Sequence, residues 1–197
     1  MRKLKKLIIV TGMIVSITAF SNINKAEAST TRTVQKGETY WNIAKGFGVP
    51  VDTLMNANNK KPLIAGQTMI LPNSPISAAD KDLMARLVRA EAVGEPYAGK
   101  VAVATVILNR LKHPDFPNTI RGVIYQIDGG HYAFTPVANG QINKAADNDS
   151  KRAVNEAIAL MGKGNGSLYF YNPKTSSSKW ILSRPVTVKI GNHVFAK

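Results

Sequence analysis

Between Ala78 and Leu111 the apolar residues recur at helical spacing. Leu83 and Leu87 stand four apart, and the next place on their stripe, within "LVRAEAVGE" (Leu87 to Glu95), is occupied by Glu91. A charge on an apolar stripe is costly, so this carboxyl calls for a reason. Ser77 with Asp80 gives that helix a capping-box-like start. A second helix, near Tyr97 to Leu111, is apolar on almost every side in "VAVATVIL", the pattern of a buried spine. The proline-rich loop "KHPDFPNTIRGVIYQ" and the glycine-marked loop "GGHYAFTPVANGQIN" follow, then a third helix from Ser150 to Met161. The tail "SLYFYNPKTSSSKWILSRPVTVKIGNHVFAK" has β-branched and aromatic runs broken by turn residues, and predicts two or three short antiparallel strands.

Residues 33–72 carry a different rhythm. A short strand at Thr33 to Gln35 meets the turn "KGE", and Thr39 caps a helix through "YWNIAKGF" that "GV" and Pro50 end. "VDTLMNANN" gives a second helix and "QTMILP" a closing strand, so the order is strand, helix, helix, strand, with Trp41, Ile43 and Leu54 as its small core. "NSPIS" (73–77) is a short polar linker with little to bury. The segment 78–197 is long enough for a core of its own.

The start of the chain changes the picture of where it works. "MRKLKK", the apolar "LIIVTGMIVSITAF" and the small-residue site "AEA" read as an export signal cleaved after Ala28. The apolar stretch is short for a membrane span of ~20 residues. Losing Arg2, Lys3, Lys5, Lys6, Lys25 and Glu27 lowers the formal net charge from +14 to +10. Such a protein is drawn to polyanions outside the membrane; anionic wall polymer fits, and nothing resembles a nucleic-acid module.

The chain has no cysteine, which excludes thiol catalysis, disulfides and Cys-ligated zinc. His113, His131 and His193 form no metal-binding spacing, "DND" at Asp147 to Asp149 reads as a helix N-terminus, and no GxSxG elbow occurs. Neither a metal nor a cofactor is expected. Acid catalysis by a carboxyl remains. Of the acids after the linker (Asp80, Asp82, Glu91, Glu95, Asp115, Asp128, Asp147, Asp149 and Glu156), only Glu91 lies on a helical apolar stripe. Burial should raise its pKa, and Glu95, one turn on, should push it the same way, giving a neutral carboxyl at about pH 6 to 7 as glycosidic cleavage requires. The alternative is a helix-end glutamate paired with Arg86 or Arg89.

Residues 33–72 resemble a LysM domain along their whole length through "KGET.W.IA..FGV" and the closing "GQ...LP". The resemblance implies binding of N-acetylglucosamine-containing glycan in a shallow groove between Gly37, Glu38, Thr39 and Tyr40 on one side and Asn58, Asn59, Leu63 and Ile64 on the other. From Leu83 onward, "ARLVRAEAVGEPYAGKVAVATVILNRLKHPDFPNTIRGVIYQ", "AFTPVANGQI" and the tail resemble the SleB/CwlJ-type cell-wall hydrolases, and the LysM unit in front resembles the YkvT-like members. That resemblance places the catalytic acid at Glu91 in "AEA", where the family has "GEA", and implies chemistry like that of lytic transglycosylases. Two departures stand out, Ala90 for the family's glycine and a longer "GGHYAF" segment. Tyr169, Tyr171, Asn172, Phe134, Asn139 and Gln141, with Glu95, are the expected cleft residues, Phe170 facing the core and Trp180 and His193 being structural.

The expected fold is α+β, a small βααβ LysM domain followed by a lysozyme-like helical catalytic domain with a short antiparallel sheet. The expected function is that of a secreted, wall-associated, monomeric enzyme cutting the MurNAc–GlcNAc bond of peptidoglycan. Glu91 and Glu95, on one helix face, cannot flank a sugar as a two-carboxyl hydrolase requires at about 5 to 9.5 Å. A non-catalytic wall- or spore-coat-binding protein and a wall amidase or peptidase are the alternatives.

Overall fold

The computed structural model describes residues 30–197; the export signal expected at 1–28 lies outside them. The smaller unit is β1 (Thr30–Thr33), α1 (Tyr40–Phe47), α2 (Val51–Ala57) and β2 (Thr68–Leu71), with β1 and β2 antiparallel from Thr30 opposite Leu71 to Thr33 opposite Thr68. The first strand lies earlier than its expected place at Thr33 to Gln35. The Glu38 carboxylate draws the chain into a turn, accepting from the Gln35 amide at 2.7 Å and from Arg32 at 2.8 Å. Thr39 caps α1 by accepting from the Asn42 amide, and Gly48 ends it in the left-handed region at φ 61°. Val34, Ile43, Ala44, Val49, Leu54, Met69 and Leu71 form the core, with Trp41 packed at its edge.

The larger unit runs α3 (Ala78–Glu91), α4 (Tyr97–Lys112), α5 (Ile120–Ile124), β3 (Ile127–Asp128), β4 (His131–Tyr132), α6 (Thr135–Ala138), a 3-10 turn (Gln141–Asn143), α7 (Asn148–Ala159), β5 (Tyr169–Tyr171), α8 (Lys179–Leu182), β6 (Val186–Ile190) and β7 (His193–Ala196). Four caps use side-chain oxygens: Ser77 accepts from the Asp80 amide, Thr119 from that of Gly122, Asp147 from that of Ser150 and Ser178 from that of Ile181. The spine is α4, whose Val103, Ala104, Val106 and Ile107 are fully enclosed by α3, α5 and α7. The tail strands form one antiparallel sheet in the order β5–β7–β6. Short α5, α6, α8 and the β3–β4 hairpin fill segments whose periodicity is too brief to read. Among the described residues no helix is long and apolar enough to cross a membrane.

The two units are not joined by a solvated linker. Ile76, inside the segment expected to bury little, is only 6% exposed and belongs to the larger core. Helix α7 serves both cores: Ala153, Val154, Ala157 and Ile158 face the larger one, and Ala159 completes the smaller. Around that contact Lys81 donates to the Phe47 carbonyl at 3.1 Å, Asn155 to the Gly46 carbonyl at 3.4 Å, and Lys163 pairs with Asp52 at 2.9 Å. The C-terminal end of α1 is thus received by side chains of α3 and α7.

Gly48 sits at this junction. A Cβ there would lie 2.5 Å from Asn155 Oδ1 and 2.8 Å from Lys81 Nζ, whereas Gly37, also left-handed, faces open space. Gly37→Ala should therefore cost only the left-handed backbone penalty, about 1 kcal/mol. Gly48→Ala should cost about 1 kcal/mol more, because it also displaces the two interface side chains. Thermal melts of the pair check this; equal losses would mean that Asn155 and Lys81 move aside without cost.

Candidate active site

Glu91 is the last residue of α3, and Ala92 caps the helix end. Leu83 and Leu87 enter the core, while Glu91 emerges at the base of a cleft of about 360 Å³. Burial pushes its carboxyl up to about 7, and the Arg110 guanidinium pulls weakly the other way. Among the described residues no ion pair joins the two. The helix-end arginines are engaged elsewhere. Arg86 pairs with Asp82 at 3.0 Å, and Arg89 donates to the Gln141 carbonyl at 2.7 Å.

Arg110 is the charged residue that sequence reasoning missed. It is 7% exposed, and its Nε donates to the Leu168 carbonyl at 2.7 Å. Its Cζ lies 5.0 Å from the ring centres of Phe116 and Phe134 and 5.5 Å from that of Tyr169, a cage of cation–π contacts. Burial draws its pKa down to about 10, so it stays charged at neutral pH. The signal was available, for Arg110 extends the stripe of Val103, Val106 and Ile107 as Glu91 extends that of Leu87.

The expected cleft residues divide. Tyr171, Asn172 and Phe134 line the cleft with Glu91, and Thr135, Phe170 and His193 join them. Phe134 is nearly buried and stacks on Phe170 at 6.3 Å, so it forms floor rather than rim. Phe170 packs on Phe195 as the alternation of β5 predicts, yet also presents an edge to the cleft. Asn172 Oδ1 accepts from the Lys174 amide at 3.0 Å, which shapes the turn below the cleft. Tyr169 lines an adjoining chamber beyond Arg110. Asn139 and Gln141 lie outside the lining of this cleft: Asn139 ends α6 and accepts from the Gln141 amide at 3.0 Å, and Gln141 opens the 3-10 turn that packs on α3.

Glu95 departs from the expectation that it shares a helix face with Glu91 and raises its pKa. The helix stops at Glu91, so the two glutamates do not share a helix face, and burial alone raises Glu91. Glu95 instead accepts from the Asn192 amide at 2.9 Å and from its side-chain amide at 3.0 Å, pinning the turn between β6 and β7. That turn sets His193, the next residue, into the cleft wall. His193, read as structural, therefore borders the site; burial lowers its pKa, which Glu95 partly offsets, and its Nδ1 is buried without a partner. Trp180 is also more than scaffold, being 55% exposed at the rim of the chamber beyond Arg110.

On the smaller unit, the Tyr40 hydroxyl donates to the Lys61 carbonyl at 2.8 Å and ties the Gly37–Tyr40 loop to the loop after α2. Thr39 is occupied as the helix cap and Glu38 with Arg32. Asn58, expected at the glycan groove, is a structural bridge: its Nδ2 donates to the Leu54 and Ile70 carbonyls and its Oδ1 accepts from the Ile70 amide. Asn59 is exposed with φ 55°, Leu63 packs on the small core, and Ile64 is 66% exposed. Among the described residues no group of three or more His, Asp or Glu side chains is gathered that could hold a metal.

Comparison with known proteins agrees with this architecture. A family model described as Cell Wall Hydrolase matches residues 94–196, and a LysM domain model matches 33–72. The spore cortex-lytic enzyme of Bacillus cereus is 39% identical over 192 aligned positions, covering 81% of this chain and 73% of that protein. The spore cortex-lytic enzyme of Halalkalibacterium halodurans is 47% identical over 125 positions, 62% of this chain and 37% of its own length. Among solved structures, the catalytic domain of the germination-specific lytic transglycosylase SleB from Bacillus anthracis superposes with a TM-score of 0.58 at 46% identity, covering 64% of this chain and all of that one. The chain therefore belongs to the cell wall hydrolase family and carries a LysM domain ahead of its hydrolase domain.

Proposed function

We propose that this protein is exported, after removal of residues 1–28, as a wall-degrading enzyme that cuts the bond between N-acetylmuramic acid and N-acetylglucosamine by lytic transglycosylation. In this reading residues 33–72 grip glycan, 78–197 carry the reaction, and the enzyme acts as a monomer. The observation that carries it is a lone carboxyl, Glu91, held protonated up to about pH 7 in an elongated cleft whose lining contains no second carboxyl. Such a site suits one group that gives a proton and takes one back.

Glu91 donates its proton to the glycosidic oxygen as the C1–O bond breaks, and the N-acetylglucosamine leaves with its new hydroxyl. The Glu91 carboxylate then accepts the proton of the muramic C6 hydroxyl, whose oxygen bonds to C1. The product is a 1,6-anhydro end, water is not consumed, and Glu91 is again protonated. Arg110 steadies the carboxylate between the steps without pairing with it, because a direct pair would lower the pKa and cost the acid its proton. Likeness to a lytic transglycosylase and to spore cortex-lytic enzymes supports the bond type and spore cortex as a substrate.

Glu91→Gln should abolish glycan cleavage with the fold intact. Mass spectrometry of digested cortex and vegetative wall should find anhydro ends with the native enzyme; reducing ends would instead indicate hydrolysis. The native pH profile should lose activity as pH rises through about 7. Arg110→Met, by removing the opposing charge, should move that limb to higher pH.

The same burial has a stability consequence. Between the ordinary value of 4.5 and about 7 the folded chain keeps a proton on Glu91 that the unfolded chain has lost, so stability falls as pH rises through that window. The loss is at most about 3 kcal/mol, reduced by solvent entering the cleft. Glu91→Gln should thus melt higher than the native protein at pH 8, with the gap closing toward pH 4. A constant gap across that range would show that Glu91 is not buried as described.

A further inference from the structure

Across Arg110 from the Glu91 cleft lies a second chamber of about 470 Å³, and the two share Arg110, Ala133 and Phe170 as their common wall. Its far wall is the β3–β4 hairpin, with Asp128 and Tyr132, and its rim is Trp180 on α8. Trp180 is 55% and Tyr132 42% exposed, a concentration of aromatic surface in water that the core does not use. The indole is nevertheless held in place. Tyr169 meets it edge-on at 5.0 Å and 87°, and the Arg184 guanidinium lies 5.0 Å from its centre. A fixed, exposed ring loses little entropy when something stacks on it.

We propose that this chamber is a distal saccharide subsite, in which Trp180 stacks on the C–H face of a sugar ring while Asp128 accepts from its hydroxyls, so that the enzyme grips the glycan strand beyond the two sugars at the cleaved bond. The inference rests on the glycan reading above and names a site that reading does not use. Three features select the ligand. The chamber adjoins the cleft across three shared residues, within reach of a polymer that extends beyond Glu91. A pyranose offers an apolar face and a hydroxyl edge, matching an aromatic ring beside a carboxylate. Asp115 and Asp128 in the lining disfavour an anionic chain such as nucleic acid, whose bases would otherwise suit an exposed indole. The volume falls within the range of pockets that enclose small organic groups.

The test uses the full chain. In Glu91→Gln, which should bind without cutting, Trp41→Phe leaves Trp180 as the single tryptophan reporter, since the sequence holds two. Its emission should shift on titration with long peptide-free glycan strands and not with the disaccharide; no shift while calorimetry detects strand binding would overturn the proposal. In the catalytically competent chain, Trp180→Ala should reduce the ratio of kcat/KM on long strands to that on the shortest cleavable oligosaccharide by about 10-fold, or ~1.4 kcal/mol of binding. The loss should lie in KM, and Trp180→Phe should restore most of it. A ratio equal to the native one also overturns the subsite, whether activity falls equally at all lengths or not at all. Failure of the native enzyme to cleave glycan of any length would instead sink the glycan reading, and the subsite with it.

Discussion

A half-buried carboxyl and a buried guanidinium that share one cleft without forming an ion pair are the constraint around which the larger unit is arranged. Desolvation favours the neutral acid and a close cation favours the charged one; at Glu91 desolvation is the larger effect and Arg110 the smaller. Arg110 is kept at its station by the Leu168 carbonyl and by the rings of Phe116, Phe134 and Tyr169. Glu91 is fixed by a different element, the end of α3, whose other stripe residues are locked in the core. The helices α3 and α4 pack on each other and on α7, so the two groups are carried on separate but mutually supported elements.

The sheet serves the same arrangement from the other side. Phe170 on β5 faces Phe195 on β7 in the register, and the stack runs on to Phe134 and His193, so the cleft wall is an extension of the core. Its outer limit is the turn between β6 and β7, where Gly191 adopts φ 57° and Glu95 grips Asn192. Glu95 belongs to the chain just before α4, so the start of the spine helix and the edge of the sheet are fastened together at the mouth of the cleft. This positioning role separates it from the proton transfer assigned to Glu91.

The helices α3, α4 and α7 were legible because each is long enough for its apolar period to show, and their caps at Ser77 and Asp147 use side chains that announce themselves. Glu91 was legible for the same reason. Arg110 obeyed the same rule but lay in a helix read as uniformly apolar, where an arginine near the end passes for a solvated terminus. Asn139 and Asn58 show why loop amides are hard to place from sequence: such an amide satisfies backbone groups as readily as sugar hydroxyls, and only the folded path shows which it meets. The α8 turn that presents Trp180 is four residues long, too short for any period. Long-range geometry, not local propensity, decided these cases.

The junction between the units alters how the LysM part can help. A flexible tether raises local concentration and tolerates any orientation of the polymer. Here Ile76 is anchored in one core, Ala159 completes the other, and Lys81, Asn155 and Lys163 clasp the smaller unit at three points. The Tyr40–Lys61 surface is therefore held at a set position relative to Glu91. If both surfaces contact glycan as proposed, their fixed spacing on a repeating polymer favours strands whose repeat brings both into register, and ordering entropy is lost only once on binding. On the proposed function, the residues of α7 that look toward the smaller unit would bear on substrate selection at a distance, through the position they impose rather than through any contact with sugar.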